Sequence, residues 1–144
     1  MSNGAPTYGD TAVGVLICDD NDAMRTLLGA VVESRAGMRV VGEATDGNET
    51  ILEATRLQPD VILLDLAMPI RSGLEALPEL RRFAPDARII VFSGFASDVV
   101  AEQVTALGAA CYLEKGADPE TILATIEQVL AETADSPASL TTRA

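Results

Sequence analysis

Val61-Ile62-Leu63-Leu64-Asp65 decides how the rest of the chain is read. Four apolar residues run straight into a carboxylate, and Met68-Pro69 and Ser72-Gly73 follow at once. A short apolar run bounded by turn residues reads as a buried strand, then a loop leading into a helix. In open parallel sheets, ligands sit just beyond the carboxyl ends of the strands. Asp65 is therefore a candidate for chemistry. Taken alone, the stretch favours a plainer reading, in which Asp65 ends a strand and bonds to loop amides.

Four more apolar runs flank this one, and each leads into a helical pattern. Val13 to Cys18 is strand one, followed by Asp19-Asp20-Asn21-Asp22. From Asp22 to Ala36 the residues Met24, Leu27, Leu28, Val31 and Val32 recur on one helical stripe, with Asn21 or Asp22 as cap and Gly37 as stop. Arg39 to Ala44 is strand two. Ile51, Leu52, Ala54 and Leu57 then form the apolar face of a helix that starts near Asp46-Gly47-Asn48 and stops at Pro59. After Asp65 a third helix is expected from Ser72 to Phe83, bent or late in starting because Pro78 removes a backbone donor. Ile89 to Phe92 is strand four, ending at Ser93-Gly94. Asp98 to Leu107 is a helix with a sparse face of Val100, Val104 and Leu107. Cys111-Tyr112-Leu113 is strand five, ending at Glu114-Lys115. Asp118-Pro119 caps a last helix carrying Ile122, Ile126, Val129 and Leu130. Five strand-helix repeats predict an α/β fold with a parallel sheet and helices on both faces.

The 144 residues suit one domain. Residues 1–11 read as a disordered arm, 12–131 as the folded domain and 132–144 as a flexible tail. A net charge of −12, from 22 acidic and 10 basic residues, argues against nucleic-acid binding by the domain itself and favours a cation or a basic partner. Histidine is absent, which removes the usual general base and the usual zinc ligand. Cys18 and Cys111 both lie in apolar runs and read as buried small hydrophobes, in keeping with a reduced, cytoplasmic setting. No stretch is long and apolar enough to span a bilayer, and the first residues lack the basic region of a signal peptide. Nine of the ten basic residues are arginine; Lys115 is the single lysine.

The polar residues at the strand ends form a set. Asp19 and Asp20 follow strand one, Asp65 ends strand three, Ser93 ends strand four and Lys115 follows strand five. If strands one and three are neighbours, three carboxylates share one pocket. Two of them roughly 5 Å apart repel by about 3 kcal/mol at an effective dielectric of 20, so cations are needed. A lysine and a hard divalent ion with oxygen ligands, magnesium above all, meet that need.

Cys18-Asp19-Asp20, the run into Asp65 with Met68-Pro69 and Ser72-Gly73, the Ser93-Gly94 step and Lys115 together resemble the receiver domain of two-component response regulators. The resemblance spans about residues 12–131. It implies a flavodoxin-like, doubly wound five-stranded sheet in the order 2-1-3-4-5. In that order Cys18 and Cys111 lie too far apart for a disulfide. It implies that Asp65 takes a phosphoryl group from a sensor histidine kinase or phosphotransfer protein. Asp19, Asp20, Asp65 and the backbone carbonyl of Ala67 would hold Mg2+. Lys115 would offset charge on the transferring oxygens, and Ser93 would bond a phosphoryl oxygen. Tyr112 matches the family's switch aromatic, and an ordinary half-buried strand tyrosine fits it equally well.

Signalling would pass through the face of helix four, strand five and helix five, which carries Asp98, Glu102, Glu120 and Gln128. A partner or a second copy of the chain, as a homodimer, would read it. Gly116 stands where many receivers carry a proline after a cis bond, and the run Tyr112 to Pro119 resembles receivers of LuxR-type regulators. Gly116 would permit unusual dihedrals instead. Ala67 and Phe95 would flank the pocket mouth as an apolar rim, slowing hydrolysis of the phosphorylated form. Leu140-Thr141-Thr142-Arg143 fits either a polar tail or the opening of a LuxR-type helix-turn-helix. Two other readings stay open: a phosphorylation-independent interaction module on the same fold, and an aspartate-nucleophile phosphatase. The phosphatase reading wants a second acid where Ala67 stands.

Overall fold

A computed structural model of the chain describes residues 12–94 and 97–132. The expected arm at 1–11, residues 133–144 of the expected tail, and Phe95 lie outside the described residues. Among the described residues, five strands alternate with five helices: β1 Val13–Cys18, α1 Asp22–Glu33, β2 Met38–Ala44, α2 Gly47–Leu57, β3 Val61–Asp65, α3 Gly73–Phe83, β4 Arg88–Ser93, α4 Asp98–Ala106, β5 Cys111–Glu114 and α5 Pro119–Ala131. The strands form one sheet in the order β2-β1-β3-β4-β5, and all four pairings are parallel. The expected order is the observed one.

Side chains on a strand alternate between faces, so a strand buried on both sides feeds two cores. In β3, Ile62 and Leu64 join Leu16, Ile89 and Val91 against Ala54 of α2, Leu77 and Leu80 of α3 and Val104 of α4. Val61 and Leu63 join Val15, Ile17, Ile90 and Phe92 against Val31 and Val32 of α1 and Ile122, Ile126 and Val129 of α5. The four apolar side chains of β3 are almost wholly buried. Each contributes about 1.5–3 kcal/mol on leaving water, which makes β3 the axis of the fold.

Side-chain caps start all five helices. Asn21, Asp46, Ser72, Ser97 and Asp118 accept from the backbone N–H groups of Met24, Glu49, Glu75, Val100 and Thr121. Ser72 and Glu75 bond reciprocally, so both partners of a capping box are present. At α5, the bond from the Thr121 backbone N–H holds the Asp118 carboxyl below the usual carboxylate range.

Several expectations need correction. Helix α1 stops at Glu33, capped by Ser34, about a turn before Gly37; Gly37 takes φ +90 in the turn that enters β2. Leu27 is 52% exposed and Leu52 is 64% exposed, so neither belongs to its helix's buried face. In α2 Thr50 and Gly47 are buried instead, because the helix packs close enough to accept only small residues there. Helix α3 does not start late: it runs from Gly73 to Phe83 with Pro78 inside it. Gly116 does not adopt positive φ, and no peptide bond among the described residues is cis. Cys18 and Cys111 are free thiols, as their separation in the sheet implies, but only Cys18 is buried; Cys111 is half-buried. Burial pushes the Cys18 thiol up to about 12, so it stays protonated near neutral pH.

Candidate functional site

The strand register builds the site. Cys18 pairs with Leu64, so the residues after them, Asp19 and Asp65, emerge side by side. Asp65 pairs with Phe92 and Ser93 with Glu114, which brings the ends of β4 and β5 to the same edge. The N–H of Lys115 donates to the Ser93 carbonyl at 2.8 Å, tying the lysine backbone to the end of β4.

Carboxylate oxygens of Asp19, Asp20 and Asp65 gather within 4.8 Å of one another. Asp19 and Asp65 are buried and Asp20 is exposed. Lys115 Nζ lies 3.1 Å from Asp19 Oδ2 and 3.2 Å from Asp65 Oδ2. Neither oxygen has a hydrogen bond of good geometry, so the ammonium meets them as a point charge rather than as an aligned donor. The opposite oxygens are held by backbone: Asp65 Oδ1 accepts from Ala67 N–H at 3.1 Å, and Asp19 Oδ1 from Asn21 N–H at 2.9 Å.

Charge is unbalanced here. One ammonium faces three carboxylates. Burial, and after it the Asp19 charge, hold the Asp65 carboxyl above its ordinary pKa against the pull of the Ala67 N–H and Lys115. Burial opposes the Lys115 ammonium, yet Asp19 and Asp65 outweigh it and hold its pKa above the usual lysine value. Two buried oxygens without a hydrogen bond, an oxygen-only donor set and an excess of negative charge together fit a hard divalent cation.

The fold thus brings Asp19, Asp20, Asp65 and Lys115 into one cluster and Ser93 to its edge, where it is buried. Ala67 is exposed and reaches the cluster through its backbone. Tyr112 is half-buried on β5, packed against the core on the α3 and α4 side. Asp98, Glu102, Glu120 and Gln128 are exposed. Glu120, however, lies 3.6 Å from Arg35, in the turn just after α1, which turns it toward that end of α1.

The roles of three residues at the site escaped the reading of the sequence. Gly73 fits only as glycine, since a Cβ there would overlap the carbonyl oxygen of Asp65 itself. Gly47 packs as closely on the carbonyl of Arg71 and donates its N–H to it at 2.8 Å, fastening α2 to the β3–α3 loop. Arg25 reaches from α1 to the Asp19 carbonyl at 2.8 Å. A glycine beside Ser72 was visible as a turn signal; its close approach and the reach of Arg25 were not.

Comparison with known proteins bears on this geometry. A family model described as the response regulator receiver domain matches residues 15–127. The nitrate/nitrite response regulator protein NarL of Escherichia coli is 41% identical over 133 residues, 91% of this chain and 58% of that protein. Response regulator GacA of Pseudomonas aeruginosa is 37% identical over 119 residues, 83% of this chain and 56% of that protein. The chain therefore spans a little over half the length of these curated relatives. A LuxR-family two-component response regulator from Aurantimonas sp. SI85-9A1 superposes with a TM-score of 0.79 at 30% identity, covering 83% of this chain and 86% of that one. A Burkholderia pseudomallei response regulator, solved with a phosphorylated aspartic acid, calcium ion and citrate, gives 0.72 at 35% identity, covering 85% and 73%. The match runs from the third residue of β1 past every strand end in the cluster, and the sheet order agrees with it. The chain belongs to the response regulator receiver domain family of two-component systems.

Proposed function

We propose that Asp65 is the phosphoacceptor of this receiver domain. The observation that carries this reading is the Asp65 carboxylate at the end of β3, 3.2 Å from Lys115 Nζ and gathered with Asp19 and Asp20. A carboxylate oxygen of Asp65 attacks the phosphorus of a phosphohistidine on a sensor kinase or phosphotransfer protein. The P–O bond forms as the P–N bond breaks, and the leaving imidazole takes up a proton. The product is an acyl phosphate.

Asp19, Asp20, Asp65 and the Ala67 carbonyl are the residues that would hold Mg2+. When bound, such an ion offsets charge on phosphoryl oxygens, where these reactions gain most of their rate. Lys115 supplies the protein's own positive charge, already poised against Asp65 by two carboxylates. Ser93, at the end of β4 beside Lys115, offers a hydroxyl to the incoming phosphoryl group.

Transfer adds up to about two negative charges where the cluster already carries an excess. Ser93 and Tyr112 then shift, and the surface of α4, β5 and α5 changes shape. A groove between Ser97, Asp98, Tyr112, Glu114 and Thr121 opens on that surface. A partner protein or a second copy of the chain reads it. Ala67 offers only an exposed methyl beside Asp65, so it positions no water and the phosphorylated form hydrolyses slowly.

The test is incubation with Mg2+ and acetyl phosphate, followed by intact-mass measurement of wild type and Asp65→Asn. One phosphoryl group on wild type and none on the variant is the expected result. Equal labelling of both, or of neither, sinks the assignment.

A further inference from the structure

We propose that Arg25 is a positioning residue for the Asp19–Asp20 turn and so for the metal-binding end of the cluster; this rests on the reading of the site just given. Asp20 is the exposed member of the three carboxylates. Among the described residues nothing donates a hydrogen bond to its side chain, so backbone alone places it. The peptide joining Asp19 to Asp20 is therefore decisive, because its plane sets the direction in which Asp20 leaves the chain.

Arg25 holds that plane. Its Nη1 donates to the Asp19 carbonyl at 2.8 Å, while the Asp19 N–H donates to the Ala44 carbonyl at 3.0 Å. Both sides of the Asp19 backbone are thus pinned. Arg25 is itself held from two directions: Nε donates to Glu43 Oε1 at 2.9 Å, and Nη2 pairs with Asp22. Its side chain is only 15% exposed. A planar guanidinium reaches three acceptors in three directions at once, linking α1, the β1–α1 turn and the end of β2. An ammonium of similar length has no such fork.

Electrostatics and geometry predict opposite signs, which makes the role testable. Removing a positive charge near an acidic site favours cation binding. Losing the peptide clamp disfavours it, because Asp20 no longer points where a shared ion needs it. Groups that orient a metal's ligands typically change affinity about 10- to 100-fold when removed.

The experiment is calorimetric titration of the full chain with Mg2+ alone, at constant ionic strength, for wild type, Arg25→Gln and Arg25→Lys, with metal-free melting curves for each. Arg25→Gln is expected to bind Mg2+ about tenfold more weakly or worse. Arg25→Lys keeps the charge, so its expected loss of affinity comes from geometry; it also decides the matter should Arg25→Gln fail to fold. Unchanged or tighter binding by a folded Arg25→Gln, or wild-type affinity in Arg25→Lys, overturns the role of Arg25 while leaving the site reading intact. Absence of Mg2+ binding by wild type overturns the site reading and this proposal with it.

Discussion

Lys115 Nζ stands 3.2 Å from Oδ2 of Asp65, at the ends of two strands that β4 separates. That one distance joins the only lysine to the only carboxylate that ends a strand in the middle of the sheet. Replacing Lys115 by Met leaves Asp19 and Asp65 buried with no cation. Breaking a fully buried pair costs about 3–5 kcal/mol; Lys115 is 25% exposed, so about 1–3 kcal/mol is expected here. Urea unfolding in the presence of a chelator measures this loss. Mg2+ is expected to restore part of the stability, while labelling by acetyl phosphate stays defective.

Asp65→Asn is expected to stabilise the metal-free protein near neutral pH. Burial, with the Asp19 charge behind it, raises the folded pKa of Asp65 above the unfolded value. The folded state therefore holds the proton more tightly, and this group's contribution to stability grows as pH falls through its folded pKa. Near neutral pH that contribution is lost. Removing the charge relieves the burial penalty first and the Asp19 repulsion second, and forfeits the Ala67 N–H bond and the Lys115 attraction; the upward shift means that the first pair outweighs the second, so the gain is on the order of 1 kcal/mol. The gap between variant and wild type should close as pH falls toward about 4. A gap that widens on acidification contradicts the sign.

Gly73→Ala should damage the site as well as the fold. The added methyl overlaps the Asp65 carbonyl, so β3 and α3 must separate where the carboxylate is anchored. Overpacking of this kind costs about 1–3 kcal/mol. Because the displaced group is Asp65 itself, acetyl phosphate labelling is expected to fall more than stability does. Labelling at the wild-type rate in a folded Gly73→Ala would show that the anchor is not needed.

Ile70 takes φ +68 and is 78% exposed. A β-branched side chain in the left-handed region costs about 1–3 kcal/mol, and here little burial compensates. Ile70→Gly removes the clash, and glycine's larger freedom when unfolded returns part of the gain. A net stabilisation of about 1 kcal/mol is expected in urea unfolding. The result to watch against it is a loss of stability, which would mean that the Ile70 side chain packs better than its exposure implies.

The elements were legible because their causes are local. Val13–Cys18 and Val61–Asp65 have the limits read from the chain, since an apolar run ending in a carboxylate carries both the burial and the stop. Asp118-Pro119 announced its helix start, because a cap and a proline at the first helical position are adjacent in the chain. Helical stripes were less reliable. Leu27 and Leu52 have the right residue type, but the angular width of the face that a sheet covers depends on how the helix is rolled, which no local pattern encodes.

Asp65, once a strand-ending acid with a plain alternative, now has defined neighbours. The chain alone determined which residues stand at the strand ends: Asp19, Asp20, Asp65, Ser93 and Lys115. Their types and order identify the family's pattern without any contact being known. Only the tertiary structure decided what meets what: that Lys115 touches Asp19 and Asp65 together, that Glu120 turns to Arg35, that Gly73 seats against Asp65 and that Arg25 clamps the Asp19 carbonyl. The physical reason is range. Burial and capping act over a few residues, whereas the field at Asp65 is the sum of charges that strand register brings within 5 Å from positions scattered along the chain.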